Sequence, residues 1–182
     1  DFVGITVPFP GCLYGALRIA QRIREKRPEC RIIFGGGYVS TELRSLSDPG
    51  IFDFIDYLVF DDGEVPLLNI VTGGPLLRTK TRTSAPVMTH GELRHADRPA
   101  PDYSGLPLKL YLRMAETVNP MFRLWSEKRW NKITLAHGCY WHKCAFCDTT
   151  LDYICRYDPA GAERVAEWIE TRSEERRVGK EC

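Results

Sequence analysis

The chain has 182 residues, 43% of them hydrophobic and 27% charged, and its 25 basic and 24 acidic side chains leave a net charge of +1. That composition excludes a disordered chain, and the balance of charge excludes a global field drawing it to nucleic acid or to an anionic membrane. No apolar run approaches the roughly 18 to 20 residues that span a bilayer and no secretory signal pattern opens the chain, so a cytoplasmic, reducing location is expected, where clustered cysteines read as metal ligands or catalytic groups rather than disulfides.

The first element, FVGITVPF from Phe2 to Phe9, is rich in β-branched and aromatic residues and reads as a buried strand, broken by Pro8, Pro10 and Gly11. Because the chain begins at Asp1 with no element before this strand, the domain is expected to start upstream. Leu13, Leu17, Ala20 and Ile23 then fall at helical spacing up to Pro28. CRIIFGGGY, from Cys30 to Tyr38, reads as a second buried strand running into three glycines. STELRSL follows with Ser40 as a helix N-cap. IDYLVFDDGE gives a third strand, and VPLLNIV a helix after it. Strands alternating with helices at this pitch predict an α/β fold with a parallel sheet, whose ligands bind beyond the carboxyl ends of the strands. Those ends carry Thr6 to Gly11, Gly35 to Gly37 and Asp61 to Glu64.

The run from Val3 to Ser40, followed by DYLVFDDGE, resembles the later half of the cobalamin-binding domain that precedes many radical S-adenosylmethionine enzymes. The resemblance implies a partial Rossmann-like sheet of the cobalamin-binding type. It also implies that Gly35, Gly36 and Gly37 lie against the nucleotide tail of a cobalamin, with Thr6 nearby. Asp61-Asp62-Gly63-Glu64 stands where that family has a glycine-rich GEGE turn.

From Gly73 to about Trp125 the sequence is rich in Pro, Gly, Thr and charge and reads as a connector with one or two short strands. His90 and His95 are expected to be solvated loop histidines there, and PAPDYSGLPLKLYL resembles the connector that leads into the radical enzyme domain.

NKITLAHG, from Asn131 to Gly138, is a β-type run that delivers the chain to HGCYWHKCAFCDTTLDYICRY. Cys139, Cys144 and Cys147 thus sit in a loop at a strand's carboxyl end, where barrel active sites are built. Three thiolates can hold three irons of a 4Fe-4S cluster and leave the fourth open to a small molecule. Cys144-x-x-Cys147 with Cys139 and either His137 or His142 also has the ligand types of a three-cysteine, one-histidine zinc site. The alternative to an enzyme is therefore a zinc-stabilised α/β binding module without catalysis. Cys12, Cys30 and Cys155 read as small buried hydrophobes.

The stretch GCYWHKCAFCD resembles the signature of the radical S-adenosylmethionine superfamily. The resemblance makes Cys139, Cys144 and Cys147 the cluster ligands and places Phe146 near the adenine of S-adenosyl-L-methionine, with Tyr140 in the same pocket. It implies reductive cleavage of that cofactor, a small-molecule or peptide substrate, and an electron donor such as flavodoxin or ferredoxin. The first gap holds four residues, Tyr140 to Lys143, where the superfamily usually has three.

Asp158 is expected to cap a helix from about Pro159 to Glu170, with Ala162, Val165, Ala166 and Ile169 as its apolar positions, giving the first β-α unit of a radical S-adenosylmethionine barrel. The last eleven residues, RSEERRVGKEC from Arg172 to Cys182, resemble a translated short-read sequencing adapter, so the authentic sequence is expected to end near Thr171. The expected division is 1–74 for the cobalamin-binding-like domain, 75–125 for the connector, 126–171 for the start of the radical domain and 172–182 for the adapter-derived tail.

Overall fold

Alternation along the second strand of the sheet explains the layering of the first half of the chain. In a computed structural model that describes residues 1–89, 93–102, 105–107, 110 and 133–178, with side chains as far as 171, β2 spans Arg31–Gly35. Ile32 and Phe34 face one core and Ile33 the other, as the two-residue period of a strand requires. The third strand, β3 (Tyr57–Val59), repeats the pattern: Leu58 joins Ile32 and Phe34, whereas Val59 joins Ile33. A sheet apolar on both faces must be covered twice. Ala16 and Ala20 of α1 (Pro10–Lys26) cover the first face, and Ile70 of α3 (Glu64–Thr72) covers the second.

The sheet order is β1-β2-β3-β4, with β1 (Phe2–Thr6) parallel to β2, β2 parallel to β3, and β4 (Thr79–Lys80) antiparallel to β3. The result is a mixed α/β fold with a mostly parallel sheet and helices on both faces, compatible with part of a Rossmann-like architecture. Pro10 opens α1, where its missing N–H costs nothing, and Arg24 and Lys26 sit at the negative end of its dipole. A short helix α2 (Gly37–Ser40) and a 3₁₀ turn (Glu42–Ser45) replace the expected helix after Ser40. Ser40 caps nothing: it is buried, and its hydroxyl accepts the Asp61 N–H at 2.8 Å.

The chain divides into two compact units, one of Asp1–Leu93 with Trp141–Cys155 and one of Arg94–Tyr140 with Arg156–Cys182. The first also contains α4 (Asp152–Cys155). In the second, β5 (Ala136–His137) pairs antiparallel with β6 (Asp158–Pro159), and α5 runs over Ala162–Val178. Asp158 is thus a strand residue and not a helix cap; its carboxylate accepts the backbone N–H of His95 instead, at 2.7 Å. The buried residue of α5 is Trp168, with Arg164 and Val165 half-buried beside it, while Ala162, Ala166 and Ile169 are exposed. The apolar face of this helix is therefore rotated from the expected one, because the indole covers more area than the two alanines together. No helix among the described residues is long and apolar enough to cross a membrane. His90 lies outside the described residues.

Candidate functional site

At the carboxyl end of the sheet the chain turns on Gly36, whose φ of 103° and ψ of −179° belong to a region that only glycine enters readily. A Cβ there would stand 2.9 Å from Thr6 Cγ2 and 3.0 Å from the Val7 carbonyl. The first and second strand ends therefore touch at Thr6 and Gly36. Val7 N–H donates to the Gly35 carbonyl at 2.7 Å, and Tyr38 N–H to the Val7 carbonyl at 3.1 Å. Gly37 is exposed and joins Pro8, Phe9, Tyr38, Thr41, Glu42 and Tyr153 around a cavity of about 540 Å³. Tyr153 comes from α4, beyond the cysteines. Burial pushes its phenol above the ordinary range, and the nearby Asp61 carboxylate adds to the effect.

The third strand end is closed by internal pairing. Asp61, at φ 61°, forms an ion pair with Arg44, whose guanidinium also donates to the Ser40 carbonyl at 2.8 Å and stands 5.3 Å from the Phe60 ring centroid.

Of the three signature cysteines, Cys144 and Cys147 belong to the first unit and Cys139 to the second. Cys147 N–H donates to the Cys144 carbonyl at 3.2 Å, so the pair lies on one tight turn. Asp148 then accepts the N–H of Thr150 at 3.0 Å and its hydroxyl at 2.5 Å; the hydroxyl and N–H together hold the Asp148 carboxyl below its usual range. Phe146 is 88% exposed and Tyr140 is 75% exposed, the latter stacking edge-on against Tyr157 at 5.9 Å. His142 is exposed at a φ of 54°. Of the three cysteines read as buried space-fillers, Cys30 is buried, Cys12 is exposed, and Cys155 is half-buried with its thiol donating to the Thr149 carbonyl at 2.5 Å. Cys12 lies in the first turn of α1, on the same face as Ala16 and Ala20 but at the end of the helix.

Among the described residues no group of three or more His, Cys, Asp or Glu side chains is gathered to hold a metal ion. Three thiols are donors of the type an iron–sulfur cluster uses, and here Cys139 and Cys144 are half-buried and Cys147 is exposed.

His95, expected in solvent, is 4% exposed. Its Nε2–H donates to the Thr134 carbonyl at 2.7 Å, and its ring packs 4.8 Å from that of His137 and 5.3 Å from that of Trp168. The Arg98 guanidinium donates to His137 Nε2 at 2.9 Å. The sequence carried no local sign of this, since the partners lie 39 and 63 positions away. Tyr153 was missed for the same reason.

Comparison of the chain with protein-family models, with curated proteins and with solved structures returned no match.

Proposed function

We propose that this chain is a piece of a radical S-adenosylmethionine enzyme in which Cys139, Cys144 and Cys147 hold a 4Fe-4S cluster. The observation that carries the reading is the tight Cys144–Cys147 turn, preceded by a strand that ends at His137 and leads through Gly138 into Cys139. When bound, the cluster supplies the electron that cleaves S-adenosyl-L-methionine. The chain's own part is to offer three thiolates, to leave one iron position to the cofactor, and to present Tyr140 and Phe146 as exposed aromatic surface for an adenine. The cavity between Pro8, Gly37 and Tyr153 supports a cobalamin contact at the strand ends. A small-molecule or peptide substrate, a flavodoxin- or ferredoxin-type electron donor and a cytoplasmic location complete the proposal.

Anaerobic reconstitution with iron and sulfide tests it. The expected product is brown, with broad visible absorption that bleaches on reduction. Stoichiometric zinc without iron in the anaerobically purified chain, and no colour after reconstitution, would overturn the proposal in favour of a zinc-stabilised module.

A further inference from the structure

Gly138, at φ 71°, turns the chain out of β5 directly into Cys139, so whatever holds β5 also sets the first thiol. Strand pairing holds it weakly: β5 and β6 share two residue pairs, Ala136↔Pro159 and His137↔Asp158, and a ladder that short is marginal by itself. Just outside the ladder the Ala160 N–H donates to the Leu135 carbonyl at 3.0 Å, and further hold comes from the turn at residues 94–98.

That turn is anchored on both sides. His95 donates its backbone N–H to Asp158 on β6 and its ring Nε2–H to Thr134, just before β5. Arg98 donates to His137 on β5 itself. The turn's own carbonyls are taken up by α5: Arg164 donates to Ala96 at 3.0 Å and to Arg98 at 2.9 Å, and the Trp168 indole N–H donates to Arg98 at 3.2 Å. With its proton on Nε2, the His95 ring leaves Nδ1 buried and without a hydrogen-bond partner among the described residues. An unsatisfied buried nitrogen is costly, and a leucine or phenylalanine would avoid it. What the imidazole does that an apolar ring cannot is grip the Thr134 carbonyl.

We propose that His95 and Arg98 are positioning residues for Cys139: the 94–98 turn clamps the strand that presents this thiol, from one side through Thr134 and from the other through His137. The chemical purpose of the clamp rests on the cluster reading above, but its existence can be measured in the metal-free chain.

The test is alkylation of the full chain, stripped of metal and reduced, with iodoacetamide, following each cysteine separately by mass spectrometry. His95→Ala is expected to speed alkylation of Cys139 about tenfold, the equivalent of one lost hydrogen bond of this kind, while Cys144 and Cys147 keep their rates. His95→Gln, which retains a donor at the Nε2 position, is expected to restore the slow rate. Arg98→Lys leaves the His95 contacts in place, is expected to act on Cys139 alone, and decides the matter if His95→Ala does not fold. An unchanged Cys139 rate in the folded variants, or equal acceleration of all three thiols in both His95→Gln and Arg98→Lys, would overturn the clamp. Iron binding is scored separately. Selective release of Cys139 in a chain that takes up no iron keeps the clamp and removes the cluster; iron uptake with Cys139 indifferent to both positions does the reverse.

Discussion

Ile32 and Asp56 exchange two hydrogen bonds: the Asp56 carboxylate accepts the Ile32 N–H at 2.8 Å, and the Asp56 N–H donates to the Ile32 carbonyl at 2.9 Å. The side chain thereby extends the β2–β3 pairing past the end of the ladder. Burial alone would raise this carboxyl, but the Ile32 N–H and the guanidinium groups of Arg31 and Arg24 outweigh it and hold it below the usual carboxylate range.

The sign of the resulting pH dependence follows. A carboxyl depressed in the folded state contributes stability that is complete above the unfolded value of about 3.9 and disappears as pH falls through the folded value. Asp56→Asn should therefore cost about 1–3 kcal/mol near neutrality, and the difference from the parent should shrink steadily below about pH 4. Urea midpoints at pH 7, 4 and 3 would show this; a difference that stays constant with pH would contradict it. Arg31, which is 59% exposed on its side chain, should matter much less than Arg24 at 24%.

The glycines at the second strand end should not behave alike. Gly36→Ala combines a left-handed φ with a contact under 3 Å to Thr6 and should destabilise by about 2–4 kcal/mol. Gly35→Ala would meet only the Val59 carbonyl, at 3.6 Å, and should stay within about 1 kcal/mol. Equal melting temperatures for the two variants would show that the turn is not as tight as described.

In the second unit, Trp168→Ala removes a side chain that is 5% exposed and should cost about 3–5 kcal/mol. Trp168→Phe keeps most of the contact, loses the indole bond to the Arg98 carbonyl, and should cost about 1 kcal/mol. Denaturant titration of the two variants separates packing from hydrogen bonding.

Replacing Cys139, Cys144 or Cys147 by alanine should remove most of the visible absorption of the reconstituted chain, because two protein thiolates hold a cluster poorly. Alanine at Cys12 or Cys155 should leave the colour intact, and at Cys30 it should lower the melting temperature without bleaching. Colour kept in the Cys139, Cys144 and Cys147 variants would point to adventitious iron.

How much of this could be read in the sequence depended on distance along the chain. The strand-helix order from Phe2 to Thr72 was legible because the periodicity of Ile32, Ile33 and Phe34, and of Leu13, Leu17, Ala20 and Ile23, is local. Ser40, His95 and Asp158 were misread for one reason. Each is a residue with a good local role, as cap or solvated loop, that was drawn into a bond with a partner 21, 39 or 63 positions away. A polar side chain in a tertiary pairing has no periodic signature. The assignment of the first signature cysteine to one compact unit and of the other two to another could not be deduced from spacing.

The pairing of His137 with Asp158 gives residues 138–157 the topology of a loop closed by a hairpin stem, with every signature cysteine inside the closure. The entropy of bringing the ends of that loop together is spent when the stem forms, whether or not a metal is present, and it grows only logarithmically with loop length. On the proposed cluster reading, the three thiols are brought together within an already closed ring. Loosening the stem should accordingly slow metal uptake more than lengthening the loop by a residue does, and an insertion between Tyr140 and Lys143, where the first gap already runs long, should be among the better tolerated changes in the chain.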